Sequence, residues 1–233
     1  MDDDPRPASA LVTIPVPGAA LTGDLTVPVH AGGLIVFAHG SGSSRLSPRN
    51  REVAAALVND GFATLLFDLL TRQEEIEERS TRHLRFDIRL LAERLSGVIA
   101  WTRRHPTLSA LPIGLFGAST GAAAALTAAS RDRSVGAVVS RGGRPDLAGD
   151  VLREVTTPTL LIVGGEDTEV IGLNYRALEQ MGRDATIHVV PGAGHLFEEP
   201  GAIREVTFLA SGWFRRHLVV RPEQRAQRPS VRR

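Results

Sequence analysis

The stretch GLFGASTGAAAAL, residues 114–126, decides the fold. An apolar run meets an alanine-rich run, and Ser119 stands at the junction with Gly117 two residues before it and Gly121 two after. PIGLFGA (112–118) reads as a strand buried on both faces, and TGAAAALTAAS (120–130) as a helix that follows it directly. Between them, G-x-S-x-G fits a tight strand-to-helix turn that lifts a serine hydroxyl above the sheet. Small residues are required on either side of that serine because backbone and side chains crowd there. The helix begins near Thr120, so its free N–H groups face the same point and favour negative charge developing on it.

The same alternation extends in both directions. ALVTIPVPGAALTGDLTVPV (10–29) predicts two antiparallel strands around a Pro-Gly turn. GLIVFAHG (33–40) and FATLLFDLL (62–70) predict buried strands. They flank a helix over 47–61 that Ser47 can cap, Pro48 can enter and Gly61 can close. Residues 71–83 are highly charged and predict an exposed loop or short helix, followed by an amphipathic helix over 84–104. Beyond the central unit come strands at 135–140, 157–165 and 185–190, with helices over about 171–182 and 199–218. Strand and helix in alternation imply an α/β fold: a mainly parallel sheet with helices on both faces and an N-terminal antiparallel hairpin. Ligands of such sheets bind beyond the carboxyl ends of the strands. The expected organisation is a flexible lead (1–9), one domain (10–218) and a basic, disordered tail (219–233).

Composition narrows the chemistry. The 233 residues suffice for one α/β domain, and 42% hydrophobic with 23% charged residues is ordinary for a globular chain. A formal net charge of +1 gives no reason to expect a nucleic-acid partner, and no apolar run approaches membrane-spanning length. The acidic start, MDDDPRPASA, lacks the layout of a signal peptide, so the expected location is cytoplasmic. Cysteine is absent, which excludes disulfides and a thiol nucleophile. All 27 basic residues are arginine, which excludes Schiff-base lysine and P-loop chemistry. His39, Asp68, Asp167 and His195 lack the close spacing of a zinc site, and neither metal nor cofactor is expected.

A serine hydroxyl becomes nucleophilic only when a base takes its proton. His195, in PGAGHLFEEPG, follows the last strand on a glycine-rich loop that can bring an imidazole over the sheet edge. Asp167, in LLIVGGEDTEV, follows the preceding strand and can orient that imidazole; Glu166 and Glu169 are neighbouring carboxylates able to do the same. The chain order, serine then acid then histidine, is that of α/β hydrolases. An oxyanion hole needs two backbone N–H groups: Thr120 follows the serine, and Ser41 lies in the small-residue loop HGSGSS after the first buried strand. His39 is read as a brace for that loop.

Together, FAHGSG (37–42), GASTGAA (117–123), GGEDTEV (164–170) and GAGHLF (192–197) resemble the α/β-hydrolase superfamily, and within it the dienelactone hydrolase-like family of small, lidless enzymes. The resemblance covers about residues 10–218. It implies Ser119 as nucleophile, His195 as base, Asp167 as acid with an apolar residue (Val170) three positions on, and the Ser41 and Thr120 amides as oxyanion donors. Dienelactone hydrolases themselves use a cysteine where this chain has Ser119, which favours general ester chemistry over that one substrate. HGSGSSRLSPRNR (39–51) is also similar to bacterial hydrolases found beside or fused to phosphoribosyltransferases.

The expected activity is hydrolysis of small carboxylic esters, thioesters or lactones through an acyl-enzyme. Acyl transfer and perhydrolysis on the same residues stay open, as does a non-catalytic binding or scaffold role on this fold. Only residues 141–156 separate two strands where many α/β hydrolases insert a lid, so the site is expected to be open, or covered only by the charged 71–83 segment. Arg45, Arg85 and Arg141 fall near strand ends and are candidate anchors for an anionic substrate group; Phe197 is a candidate for an apolar pocket wall.

Overall fold

The computed structural model describes residues 6–218. The expected tail and most of the lead lie outside the described residues. Eight strands form one sheet: β1 (Ala8–Val16), β2 (Ala19–Val27), β3 (Leu34–Ala38), β4 (Ala63–Phe67), β5 (Ile113–Ala118), β6 (Val135–Arg141), β7 (Thr159–Gly164) and β8 (Ala185–Val190). Their order is β1-β2-β4-β3-β5-β6-β7-β8. β2 runs antiparallel to both neighbours, and every other pairing from β4 to β8 is parallel. The hairpin turn passes through Pro17 and Gly18, whose φ of +74° suits glycine.

Six helices cover the sheet: α1 (Pro48–Asn59), α2 (Arg72–Thr81), α3 (Ile88–Thr102), α4 (Thr120–Arg131), α5 (Thr168–Gln180) and α6 (Ala202–Leu218). Successive strand residues point to opposite faces, and the core divides accordingly. Leu34, Val36 and Ala38 of β3 join one cluster with residues of α3, α4 and α5; Ile35 and Phe37 join the other with residues of α1 and α6. α4 is buried from Thr120 to Ala129, and its run of alanines lets the helix pack closely between the sheet and α3.

The charged stretch after β4 takes the helical of its two expected forms, α2, because Thr71 and Glu74 form a reciprocal capping box. Its Glu78 is buried rather than exposed, paired with Arg85 and accepting the Leu84 N–H at 2.8 Å. The amphipathic helix starts at Ile88 and not Leu84, because Asp87 caps it through the Leu90 N–H at 2.9 Å; residues 84–86 form a separate 3-10 turn. Between β6 and β7 lies 3-10 structure broken at Gly149, and no lid.

Candidate active site

The parallel strands end on one edge of the sheet, and the candidate residues gather there. Ser119 connects β5 to α4 with φ +50° and ψ −122°, a combination rare for a residue with a side chain. Its neighbours make the turn possible. A Cβ on Gly121 would stand 2.2 Å from the Ala38 carbonyl oxygen, and one on Gly117 would stand 2.5 Å from the Ala122 Cα. Gly40, after β3, would reach 2.8 Å from the Ser119 Cβ. The strained turn is held by the Ser119 N–H donating to the Arg141 carbonyl at 3.3 Å and by the Arg144 N–H donating to the Ser119 carbonyl at 3.1 Å.

Ser119 occupies the N-cap position of α4, and Asp167 that of α5. Serine and aspartate are favoured there because their side chains normally accept a helix N–H. Neither does so here. The Asp167 carboxylate instead turns to His195 and accepts from its Nδ1 at 2.6 Å. This bond fixes the tautomer that leaves Nε2 as the basic nitrogen. Asp167 is largely buried and His195 half-exposed, so the carboxylate is shielded while the imidazole keeps an open face. Glu166 and Glu169 are exposed and make no bond to His195.

The histidine loop is seated by backbone contacts. The Gly165 and Glu166 N–H groups donate to the carbonyls of Val190 and Ala193 at 2.8 and 2.9 Å. Phe197 is buried and anchors the loop from beneath, in the core cluster of α1 and α6. The structure thus gives Phe197 a place under the histidine rather than in the cleft wall.

Ser119, His195, Ser41 and Arg141 line one cleft of about 280 Å³, together with Gly40, Ser47, Arg49 and Leu196. Residues 40–43 form a turn closed by the Ser43 N–H on the Gly40 carbonyl at 3.2 Å, with Gly42 at φ +69°. Among the described residues, neither the Ser41 nor the Thr120 N–H is paired with a protein acceptor. His39 braces this loop: its Nδ1 meets the Gly40 carbonyl at 3.0 Å and its Nε2 accepts the Leu69 N–H at 3.0 Å. Burial pushes the His39 pKa below its ordinary value, so the ring stays neutral, as the bond from Leu69 requires.

A pH dependence follows. The unfolded chain binds a proton at His39 near pH 6.5, while the folded chain resists it. This contribution to stability is therefore full above pH 6.5 and declines as pH falls below it, by at most one proton, or about 1.4 kcal/mol per pH unit. Urea unfolding of wild type and His39→Gln between pH 8 and pH 5 should show a flatter acid limb in the variant.

The arginines separate. Arg45 is held by Asp68, through its own N–H at 2.8 Å and its guanidinium at 2.7 Å, with Asp24 at 3.5 Å. Arg85 is paired with buried Glu78 and lies across the 40–43 turn in a separate small recess. Arg141 alone of the three lines the cleft with Ser119. Arg49 and Asn50 lie beside it in the first turn of α1; both fall in HGSGSSRLSPRNR (39–51), but nothing in that stretch marks them individually as site residues. Among the described residues, no group of three or more histidines and carboxylates is placed to hold a metal ion, and no helix is long and apolar enough to cross a membrane.

Residues 21–213 match the model of the dienelactone hydrolase family. The chain belongs to that family. Its structure superposes on a dienelactone hydrolase from Anabaena variabilis with a TM-score of 0.89 and 53% identity, covering 91% of this chain and 99% of that one. A dienelactone hydrolase-like promiscuous phosphotriesterase from metagenomic libraries shares the fold at 16% identity and a TM-score of 0.70, over 91% of this chain and 99% of that one. In sequence the chain is 56% identical over 209 residues to a Mycobacterium tuberculosis protein described as a putative phosphoribosyl transferase. That match takes in 89% of this chain and 46% of the relative, so the chain spans about half the length of the curated relatives it matches. The sheet, the elbow and the hydrolase family thus agree, and the expected α/β-hydrolase fold is the one found.

Proposed function

We propose that this member of the dienelactone hydrolase family is a serine hydrolase that cleaves small carboxylic esters, thioesters or lactones through an acyl-enzyme. The observation that carries the reading is the 2.6 Å bond between His195 and Asp167 at the rim of the cleft that holds Ser119 on its strained turn. Neither N-cap side chain serves its helix, and both face reaction chemistry instead.

In this mechanism the Ser119 Oγ attacks the acyl carbon as His195 Nε2 takes its proton. The Ser41 and Thr120 N–H groups hold the oxyanion, which forms at the N-terminus of α4 where the helix dipole favours negative charge. The imidazolium, stabilised by Asp167, returns the proton to the leaving alcohol, thiol or hydroxyl. Water then attacks the acyl-enzyme with His195 again as base, and Ser119 is released. The half-exposed His195 and the absence of a lid leave water free to reach the ester, which favours hydrolysis over transfer to another acceptor.

The test is covalent labelling. A fluorophosphonate probe should give one adduct, located by mass spectrometry on Ser119, from a chain that carries 13 other serines. An unlabelled or randomly labelled folded protein would overturn the reading and favour a binding role on this fold.

A further inference from the structure

Arg141 is 7% exposed, yet no carboxylate meets its guanidinium among the described residues. Its one hydrogen bond is to the neutral Asn50 Oδ1 at 3.2 Å, and its Nε–H is buried without an acceptor. The guanidinium stands 5.9 Å from the centre of the Phe197 ring, a contact that orients the charge without neutralising it. Burial, with the repulsion of Arg49, lowers its pKa to about 10, which leaves it charged at neutral pH. A buried charge without a counter-charge is costly, and an anionic ligand seated against it would offset that cost.

A second guanidinium faces the same cleft. Arg49 is held at its outer edge by the rim residue Glu198 at 2.7 Å, while its own Nε–H is also buried without an acceptor. Arg49 and Asn50 belong to the first turn of α1, so the positive end of that helix points the same way. Ser43 and Ser47 supply hydroxyls to the lining. The cleft therefore presents two guanidiniums, two serine hydroxyls and a helix N-terminus close to Ser119, whose N–H bonds the Arg141 carbonyl.

We propose that Arg141 and Arg49 form an anion subsite that takes a phosphate group on the substrate, one strand away from the nucleophile. The choice of substrate class rests on the hydrolase reading; the anion site does not. Phosphate fits better than carboxylate because two guanidiniums from different elements each keep a buried Nε–H without an acceptor, although Glu198 already pairs with Arg49, and together they call for more acceptor oxygens than the two of a carboxylate. A carboxylate engages one fork and leaves the Nε–H of the other without an acceptor.

The test uses inorganic phosphate on the full chain, with acetate and chloride at matched ionic strength. Phosphate should raise the melting temperature saturably and should slow fluorophosphonate labelling of Ser119. Arg141→Gln and Arg49→Gln should each weaken phosphate binding about tenfold or more, the range expected for one lost charge-assisted contact, with Arg141→Lys recovering part of it. Arg49 is partly exposed, so its variant tests the site even where Arg141→Gln fails to fold. Phosphate that neither stabilises the protein nor protects Ser119, or binding untouched by either glutamine variant, overturns the subsite. Acetate acting as strongly as phosphate overturns the assignment to phosphate. The two readings fail separately: loss of labelling with retained phosphate binding removes the hydrolase and keeps the subsite, and normal labelling with neither stabilisation nor protection by phosphate does the reverse.

Discussion

Ser119→Ala should lower ester turnover by about 10⁵- to 10⁶-fold, because the nucleophile of a serine–histidine pair has no substitute once its oxygen is gone. The residual rate would come from the oxyanion donors and from binding alone. The fold should survive, since Ser119 makes no side-chain cap to α4 and alanine keeps the same backbone. Ser119→Gly adds a distinguishing arm. The φ of +50° and ψ of −122° cost roughly 1–3 kcal/mol for a residue with a Cβ, and glycine removes that strain. Its greater unfolded-state freedom returns about 1 kcal/mol. The glycine variant should therefore be as inactive as the alanine variant, yet melt at or above the wild-type temperature. Turnover measured on a chromogenic ester, beside thermal melts of all three proteins, checks both parts. A variant with ester turnover within tenfold of wild type would show that Ser119 is not the nucleophile. A glycine variant that melts well below wild type would show that the turn is not under strain.

Much of this was legible in the sequence, for a physical reason. Buried parallel strands read as unbroken apolar runs, so LIVFA, ATLLF and IGLFGA stand out, and the glycines at 117 and 121 mark a strand-to-helix junction where a Cβ cannot fit. The positions of Ser119, Asp167 and His195 each follow the end of a strand, and strand ends survive errors of a residue or two. What the sequence did not carry was the pairing of charges. Arg45, Arg85 and Arg141 look alike in a list of strand-end arginines. Only the fold shows that Asp68 is 2.7 Å from the first, that buried Glu78 meets the second, and that the third meets no carboxylate among the described residues. Arg49 escaped for the complementary reason: a helix-start arginine is usually solvated, and its place in the cleft depends on how the turns over 40–43 and 44–47 lead into α1. For residues 71–83 the composition left loop and short helix open, and the capping box of Thr71 and Glu74 decides for the helix.

Asp167→Asn should lower turnover by about 10⁴-fold, while Glu166→Gln stays within about threefold of wild type. The two residues are adjacent in sequence and equally plausible as the acid from residue type alone. Geometry separates them: Asp167 is shielded and 2.6 Å from the His195 Nδ1, and Glu166 is exposed with no bond to the ring. Asparagine at 167 can present its NH₂ to Nδ1, which then accepts, and the proton moves to Nε2. The imidazole stays in place with the wrong nitrogen protonated, so it cannot take the Ser119 proton. The loss should therefore fall mainly on kcat, with KM little changed, and fluorophosphonate labelling should slow by a similar factor. Asp167→Glu keeps the charge but pushes it about one methylene further from the α5 N-terminus, and should recover part of the rate. If Glu166→Gln proves the more damaging variant, the acid has been misassigned and the 2.6 Å bond serves only to hold the loop. Equal, mild effects from both would mean that His195 is oriented by the backbone of its own loop, through the contacts at Val190 and Ala193 that already fix its position.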